Sequence, residues 1–97
     1  MSGGHFNHRQ MFIADIAADI QSLIDNNDNS EPDEWGSRVG HGYSPETMAE
    51  FARAVEALRV AYAYAKRIDW LVSADDSEDS FHARLKADLD KIEGDKP

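Results

Sequence analysis

The chain has 97 residues, 41% of them hydrophobic, which is enough for one domain with a small core. It contains no cysteine, so disulfides, thiolate metal sites and thiol catalysis are excluded. Its 19 acidic and 10 basic residues give a net charge of −9, which argues against direct binding of nucleic acid through its phosphates. The acidic balance favours instead a partner protein with a basic surface.

No apolar run approaches the roughly 18–20 residues that a membrane span needs. The opening stretch, MSGGHFNHRQ, lacks the order of a secretory signal, in which basic residues precede an apolar run. We therefore expect a soluble, cytoplasmic protein without a membrane partner.

The first predicted helix covers residues 8–25. Its apolar residues recur at steps of one and three from Ile13 to Ile24, which is the pattern of one helix face. Asn7 stands where an N-cap is expected, and Gln10 falls three positions later, as in a capping box. These features predict that the helix begins directly after Asn7.

Residues 26–44 form a long irregular loop. One proline and three glycines interrupt any regular element there. Loops of this length in compact domains are usually functional or mobile. Trp35, within the loop, has two interpretations. We favour an anchor that pins the loop to the helices. The alternative is an exposed partner contact, because tryptophan is frequent among interface hot spots.

The second predicted helix covers residues 45–73 and is the longest element. Ser44 is its predicted cap, Pro45 occupies the first helical position, and no later glycine or proline interrupts it. Its apolar residues form two adjacent tracks, which together are wide enough to cover two partner helices. The rest of the chain is therefore expected to pack along this helix.

The third predicted helix covers residues 77–93, capped by Ser77 or Asp76 and stopped by Gly94. The three elements predict an all-α fold in a single domain spanning residues 1–97. We expect a small three-helix antiparallel bundle with a long central helix and a long irregular loop between helices 1 and 2.

Two aromatic residues of the second helix, Tyr64 and Trp70, lie off its main apolar stripe. Six residues separate them, so they project about 120° apart around the helix axis. We predict that they flank one broad contact face for a partner or for a second copy of the chain in a homodimer.

Two acidic stretches without lysine or arginine flank the long helix, at residues 25–34 and 69–79. In an antiparallel bundle they lie at opposite poles. Helix capping and solubility explain several of these carboxylates without any ligand. The alternative is a docking surface, for which the predicted partner-binding residues are Glu31, Asp33, Glu34, Asp69, Asp75, Asp76, Glu78 and Asp79, with Trp35, Tyr64 and Trp70.

No catalytic residue, metal site or cofactor is predicted. Both acidic stretches lack the glycine and glutamate positions of an EF-hand. HExxH, a Cys/His zinc pattern, a G-x-S-x-G elbow and a P-loop are also missing. The remaining enzymatic alternative is a metal-dependent hydrolase built on Asp69, Asp75, Asp76 and His82.

A small ligand is best accommodated, on sequence grounds, at the start of the first helix. The adjacent glycines of SGGHF allow close approach of the backbone to another surface. The free N–H groups of a helix start favour an anion. The candidate ligand-binding residues are His5, His8 and Arg9.

Four segments carry a resemblance: MSGGHF, the IADI of the first helix, YSPET, and AKRIDWLVSADDSEDSFHARL. Together they resemble a family of small uncharacterised acidic proteins encoded by phages, prophages and their bacterial hosts. The resemblance covers nearly the whole chain, and MSGGHF and RIDWLVSxDD are its most specific parts. It implies an accessory phage-type protein in the host cytoplasm, and it brings no catalytic or ligand-binding residue with it.

Small acidic phage-type proteins often act by occupying a host molecule. Our first hypothesis is a non-enzymatic protein that binds and inhibits a bacterial defence component, such as a CRISPR effector. Its acidic loops would stand in for nucleic-acid phosphates on a basic host protein. The second hypothesis is a binder, or sponge, for a small molecule or nucleotide signal. The third is the metal-dependent hydrolase.

Overall fold

The computed structural model describes residues 6–29, 31–32, 34–36 and 40–94. They form three helices: α1 (Gln10–Asp25), α2 (Pro45–Val72) and α3 (Glu78–Gly94). The prediction of an all-α, three-helix antiparallel fold is confirmed, with helix ends within two residues of those expected.

The long helix α2 begins as its sequence predicts. The Ser44 hydroxyl accepts a hydrogen bond from the Thr47 backbone N–H at 3.2 Å, and Pro45 occupies the first turn beside Glu46. Its 28 residues make it about 42 Å long. No helix in the described part of the chain combines the length and apolar character that crossing a membrane requires.

The start of α1 differs from the prediction. Arg9 is the N-cap residue, and no side chain caps the helix. Asn7 and His8 adopt left-handed backbone conformations, with φ of 52° and 61°. The predicted capping box is therefore wrong, because the Gln10 side chain turns instead toward Asp69 of α2, with its Nε2 3.4 Å from Oδ2.

The three helices form a single layer with α2 in the middle. Helix α1 packs along one side of α2 and α3 along the other, and no Cα atom of α1 lies within 8 Å of a Cα atom of α3. The Cα atoms extend over 52 × 29 × 14 Å. Their radius of gyration, 17.1 Å, exceeds the roughly 13 Å of a compact domain of this length. The bundle is therefore flat and open on both sides.

The long loop is closed at its base by Asn27. Its side chain donates to the Tyr43 carbonyl at 3.0 Å and accepts from the Tyr43 N–H at 2.9 Å. Gly40 fits only as glycine, since a Cβ there would lie 2.1 Å from the carbonyl oxygen of Asn26. These contacts bring the end of α1 beside the start of α2.

The core is shallow. Ala17, Val55 and Ala63 are the buried apolar residues among those described, and no large side chain there is fully buried. A single layer of helices cannot enclose its apolar side chains, because neighbouring helices cover only the sides that lie within the layer. Both open sides of the layer therefore hold groups that another molecule can reach.

Candidate functional site

A groove of about 320 Å³, which we call the central groove, crosses α2 on one side of the layer, between α1 and α3. Its apolar lining is mostly alanine: Ala14, Ala17 and Ala18 of α1, Ala63 of α2 and Ile92 of α3. An alanine side chain ends at Cβ, so these positions leave space that a larger residue would fill. The groove therefore follows from where the sequence places its alanines.

Five polar side chains complete the lining of the central groove: Arg59, Tyr62 and Lys66 of α2, and Asp88 and Lys91 of α3. Tyr62 donates a hydrogen bond from its hydroxyl to the Met11 sulfur at 3.5 Å, which holds the ring beside α1. The groove thus combines a small apolar floor with three basic side chains.

The three basic side chains of the central groove form no salt bridge with any described residue. This is unusual in a chain with 19 acidic and 10 basic residues, where a carboxylate partner is easily found. Four basic residues elsewhere in the described part do pair: Arg53, Arg67, Arg84 and Lys86. The groove therefore gathers three cations that form no salt bridge with a described residue, and Asp88 is the one carboxylate among its lining residues.

Asp88, the carboxylate among the groove residues, is engaged by Arg67. The guanidinium donates from Nε to Oδ2 at 2.6 Å and from Nη2 to Oδ1 at 3.1 Å. This hydrogen bonding lowers the pKa of Asp88 and raises the pKa of Arg67 from their ordinary values. The charges of Lys66 and Lys91 also lower the pKa of Asp88. The groove lining itself carries three positive charges and one negative charge.

A cluster of cations surrounds Trp70 beside the central groove. The Arg67 guanidinium carbon lies 4.9 Å from the ring centroid, the Lys66 ammonium 5.5 Å and the Arg84 guanidinium carbon 5.9 Å. Lys66 belongs to both the cluster and the groove. Of these three cations, Arg67 and Arg84 are paired with Asp88 and Asp76, and Lys66 forms no salt bridge with a described residue.

The predicted contact face flanked by Tyr64 and Trp70 is wrong. Arg67 lies midway between them around the axis of α2, about 60° from each. Its side chain is only 10% exposed and bonds to Asp88 of α3. Helix α3 therefore packs between the two aromatic residues and separates them onto opposite sides of the layer.

Two carboxylates of the predicted docking surface are not available to a partner. Asp69 is buried and accepts hydrogen bonds from the Phe6 N–H and the Gln10 side chain. The Asp76 side chain is 2% exposed and lies 3.5 Å from Arg84. Both were wrongly assigned to an exposed surface, because their role is internal. Within residues 69–79, the exposed carboxylates are Asp75, Glu78 and Asp79.

In the other acidic stretch, Glu31 and Glu34 are exposed, and Asp33 lies outside the described residues. Trp35 is 82% exposed, so the interpretation that we favoured, an anchor buried against the helices, is wrong. The two acidic stretches lie at opposite ends of α2 and do not form one continuous surface.

The predicted ligand site at the start of α1 is only partly described, because His5 lies outside the described residues. His8 and Arg9 are exposed, and Arg9 Nε donates to the Phe6 carbonyl at 2.9 Å. The anion beside this helix start is the protein's own Asp69, which accepts from the Phe6 N–H at 3.0 Å. A shallow pocket of about 220 Å³ remains beside this helix start, lined by Phe6, Arg9, Gln10, Ile13 and Ala65, so ligand binding there stays a prediction.

The residues of the hydrolase hypothesis do not form a metal site. Within residues 6–29, 31–32, 34–36 and 40–94, no three histidine or carboxylate side chains are grouped to hold a metal ion. Asp69 faces α1, Asp76 faces Arg84, and His82 packs edge-on against Phe81. The hypothesis that Asp69, Asp75, Asp76 and His82 together form a metal site is therefore wrong.

The central groove and its three basic residues were not predicted from the sequence. The concentration of basic residues in the middle of the long helix was a visible signal, but it did not single out Arg59 and Lys66. Lys91 is 25 residues beyond Lys66 in the chain, and only the packing of α3 against α2 brings it to the same groove. Comparison of the chain with protein-family models, curated proteins and solved structures finds no match.

Proposed function

We propose that this chain is a non-enzymatic binding protein that sequesters a small anionic molecule of the nucleotide class in its central groove. The observation that carries the proposal is the convergence of Arg59, Lys66 and Lys91 in one groove, where none of them forms a salt bridge with a described residue. In an acidic protein, three cations that line one groove beside a single carboxylate favour an anion that arrives from outside.

The groove chemistry fits both parts of a nucleotide. Phosphate oxygens accept charge-assisted hydrogen bonds from guanidinium and ammonium groups, each contributing about 1.5–3 kcal/mol. The alanine floor and the Tyr62 ring offer apolar surface to a base. Asp88, fixed by Arg67, can accept a hydrogen bond from an amino or hydroxyl group of the ligand. A volume of about 320 Å³ is at the small end of ligand pockets.

Binding rather than turnover is supported by the residue types in the groove. Its lining contains no serine, threonine or histidine, and its carboxylate is held in a bidentate pair with Arg67. The available groups can position and neutralise an anion. A nucleophile or a free general base would be needed for hydrolysis of a phosphoester.

The resemblance to phage-type proteins suggests what such binding would achieve. A host defence that relies on a diffusible nucleotide signal is weakened when a phage protein lowers the free concentration of that signal. The proposed role is therefore that of a nucleotide sponge acting against a bacterial defence system in the host cytoplasm.

Binding would be tested by titration calorimetry with mononucleotides, linear dinucleotides and cyclic dinucleotides at low salt. We expect one of these classes to bind, and Arg59→Gln and Lys91→Gln each to weaken it about tenfold, equivalent to about 1.4 kcal/mol. Lys86→Gln is the matched control, since Lys86 is an exposed cation of α3 that pairs with Asp90 outside the groove. Equal weakening by the control, or no binding of any class, would contradict the proposal.

The cellular role has its own test. In bacteria that carry a nucleotide-signalling defence, expression of the chain should raise the plating efficiency of a sensitive phage. The Arg59→Gln, Lys91→Gln double variant should lose this effect, and Lys86→Gln should keep it. Protection that is independent of Arg59 and Lys91 would mean that the groove is not responsible.

A second candidate function is inhibition of a host protein that has a basic surface. The observation that favours it is the exposure of Trp35 beside Glu31 and Glu34. Replacing Trp35 with alanine should then abolish binding to a purified defence component, such as a CRISPR effector, and binding should weaken steeply with salt. If Trp35→Ala still bound and inhibited the defence component, this candidate function would be wrong.

A further inference from the structure

The side of the layer opposite the central groove carries exposed apolar side chains. We call this side the apolar face and define it by two residues of α1 and four of α2: Phe12, Ile16, Ala61, Tyr64, Ile68 and Val72. Phe12 is 64% exposed, Ile16 50% and Val72 53%. Ile16 belongs to the apolar stripe from Ile13 to Ile24 that predicted one packed helix face, yet its side chain lies open to solvent.

Helical geometry places these residues together. At about 100° per residue, Ala61, Tyr64 and Ile68 lie on one stripe of α2, roughly opposite the groove residues Arg59 and Lys66. On α1, Ala14 and Ala18 line the groove, whereas Phe12 and Ile16 project from the other side. The two helices run antiparallel, so the stripes lie side by side.

The exposed area is larger than a monomer of this size normally has. The chain exposes 6884 Å², whereas a folded monomer of 10.9 kDa is expected to expose about 5,600 Å². The excess of about 1,300 Å² exceeds the roughly 800 Å² that each partner buries in a standard stable interface. The chain as a whole therefore leaves more surface open than a stable interface buries, and the exposed side chains of the apolar face contribute to that surface.

We propose that the apolar face is covered by a second copy of this chain, paired about a twofold axis. Each copy is one layer of helices, 14 Å thick between outermost Cα atoms, and stacking two such layers gives the two-layer arrangement that encloses a normal core. Ala61, in the middle of the stripe, lets two α2 helices approach closely. In an isologous pair, the same surface patch of one copy contacts that patch on the other copy.

The charges at the border of the apolar face predict how salt affects the pairing of two copies. Asp15 and Asp19 are exposed on α1 beside Phe12 and Ile16, and both copies bring the same negative charges to the interface. Salt screens this repulsion, so pairing of two copies strengthens with ionic strength. A basic partner on the same face would behave in the opposite way, because salt would screen an attraction.

Sedimentation equilibrium of the full chain and of two variants tests the proposal. Each variant replaces one exposed alanine with glutamate, so that the two substitutions are matched. Ala61 lies on the apolar face, and Ala87 lies on α3 between Leu85 and Leu89, away from that face. We expect the mass of two copies, or a multiple of it, for the unmodified chain and for Ala87→Glu. We expect a helical monomer for Ala61→Glu, with helicity checked by circular dichroism. The dimer dissociation constant should fall as NaCl is raised from 50 to 500 mM.

A monomer at 100 µM in 500 mM NaCl would overturn the proposal, and so would an assembly that persists unchanged in Ala61→Glu. Association that weakens with salt would likewise overturn it and indicate a basic contact surface. The apolar face and the central groove lie on opposite sides of the layer. Failure of this proposal would therefore leave the proposed ligand binding intact.

Discussion

Asp69, near the end of α2, accepts a hydrogen bond from the backbone N–H of Phe6 at 3.0 Å, across 63 residues of chain. The same carboxylate receives the Gln10 side chain from the first turn of α1. One buried acidic group therefore joins the beginning of the described chain to the far end of its longest helix. It belongs to an acidic stretch, but its role is structural.

Replacement of Asp69 with alanine should destabilise the fold by about 1–3 kcal/mol, because the Phe6 N–H and the Gln10 amide would both lose their acceptor. The free energy of unfolding in urea measures this directly. Asp75→Ala is the matched control, since Asp75 is an exposed acidic residue six positions away, and its change should stay within about 0.5 kcal/mol. Equal effects of the two substitutions would refute the structural role of Asp69.

The Arg67–Asp88 pair should make stability depend on pH in the acid range. The hydrogen bonds from Arg67 lower the pKa of Asp88 in the folded chain, so the unfolded chain takes up the proton first. The stabilisation is therefore present above about pH 4, the ordinary value for aspartate, and is lost as the pH falls through the lowered pKa.

Asp88→Asn should cost about 1–3 kcal/mol at pH 7 and clearly less at pH 2, because the stabilisation by the ion pair is lost as the pH falls below about 4. Urea unfolding at the two pH values gives the comparison, and Asp90→Asn serves as an exposed control on the same helix. A cost for Asp88→Asn that does not change with pH would show that the pair is not the source of the acid dependence.

The closure of the long loop at its base, which we call the loop clamp, should depend on Asn27. Asn27→Ala removes both side-chain hydrogen bonds to the Tyr43 backbone and should destabilise the protein by about 1–3 kcal/mol. Hydrogen exchange should also speed up at the Tyr43 amide, which donates to this side chain. Glu34→Ala, in the same loop but exposed, should leave stability and exchange at Tyr43 unchanged. Slow exchange at Tyr43 in Asn27→Ala would contradict the clamp.

Much of the fold could be predicted from the sequence because helix signals are local. Ser44, Pro45 and Ser77 mark helix starts through contacts within the next few residues, and the structure has the Ser44 and Ser77 hydroxyls accepting such bonds. The start of α1 was mispredicted for the opposite reason. Gln10, which fitted a local capping box, is instead taken by Asp69 from another helix.

The candidate site was harder to predict because it depends on packing. Alanine is a good helix former anywhere, so the sequence does not reveal that Ala14, Ala17 and Ala63 leave a groove. Carboxylates also look alike in a sequence. Asp69 is buried and Asp75 exposed, although both belong to the same acidic stretch, because only the position of α1 decides which one is covered.

The central claim, that the central groove binds a nucleotide-class anion, is tested most directly by a ¹H–¹⁵N NMR titration with the nucleotide that binds best in calorimetry. We expect saturable shifts of the amides of Tyr62, Ala63 and Ile92, which line the groove from α2 and α3. The amides of Glu46 and Glu50, at the other end of α2, should not move. Shifts confined to residues outside the groove, or no saturable shift at millimolar nucleotide, would contradict the claim.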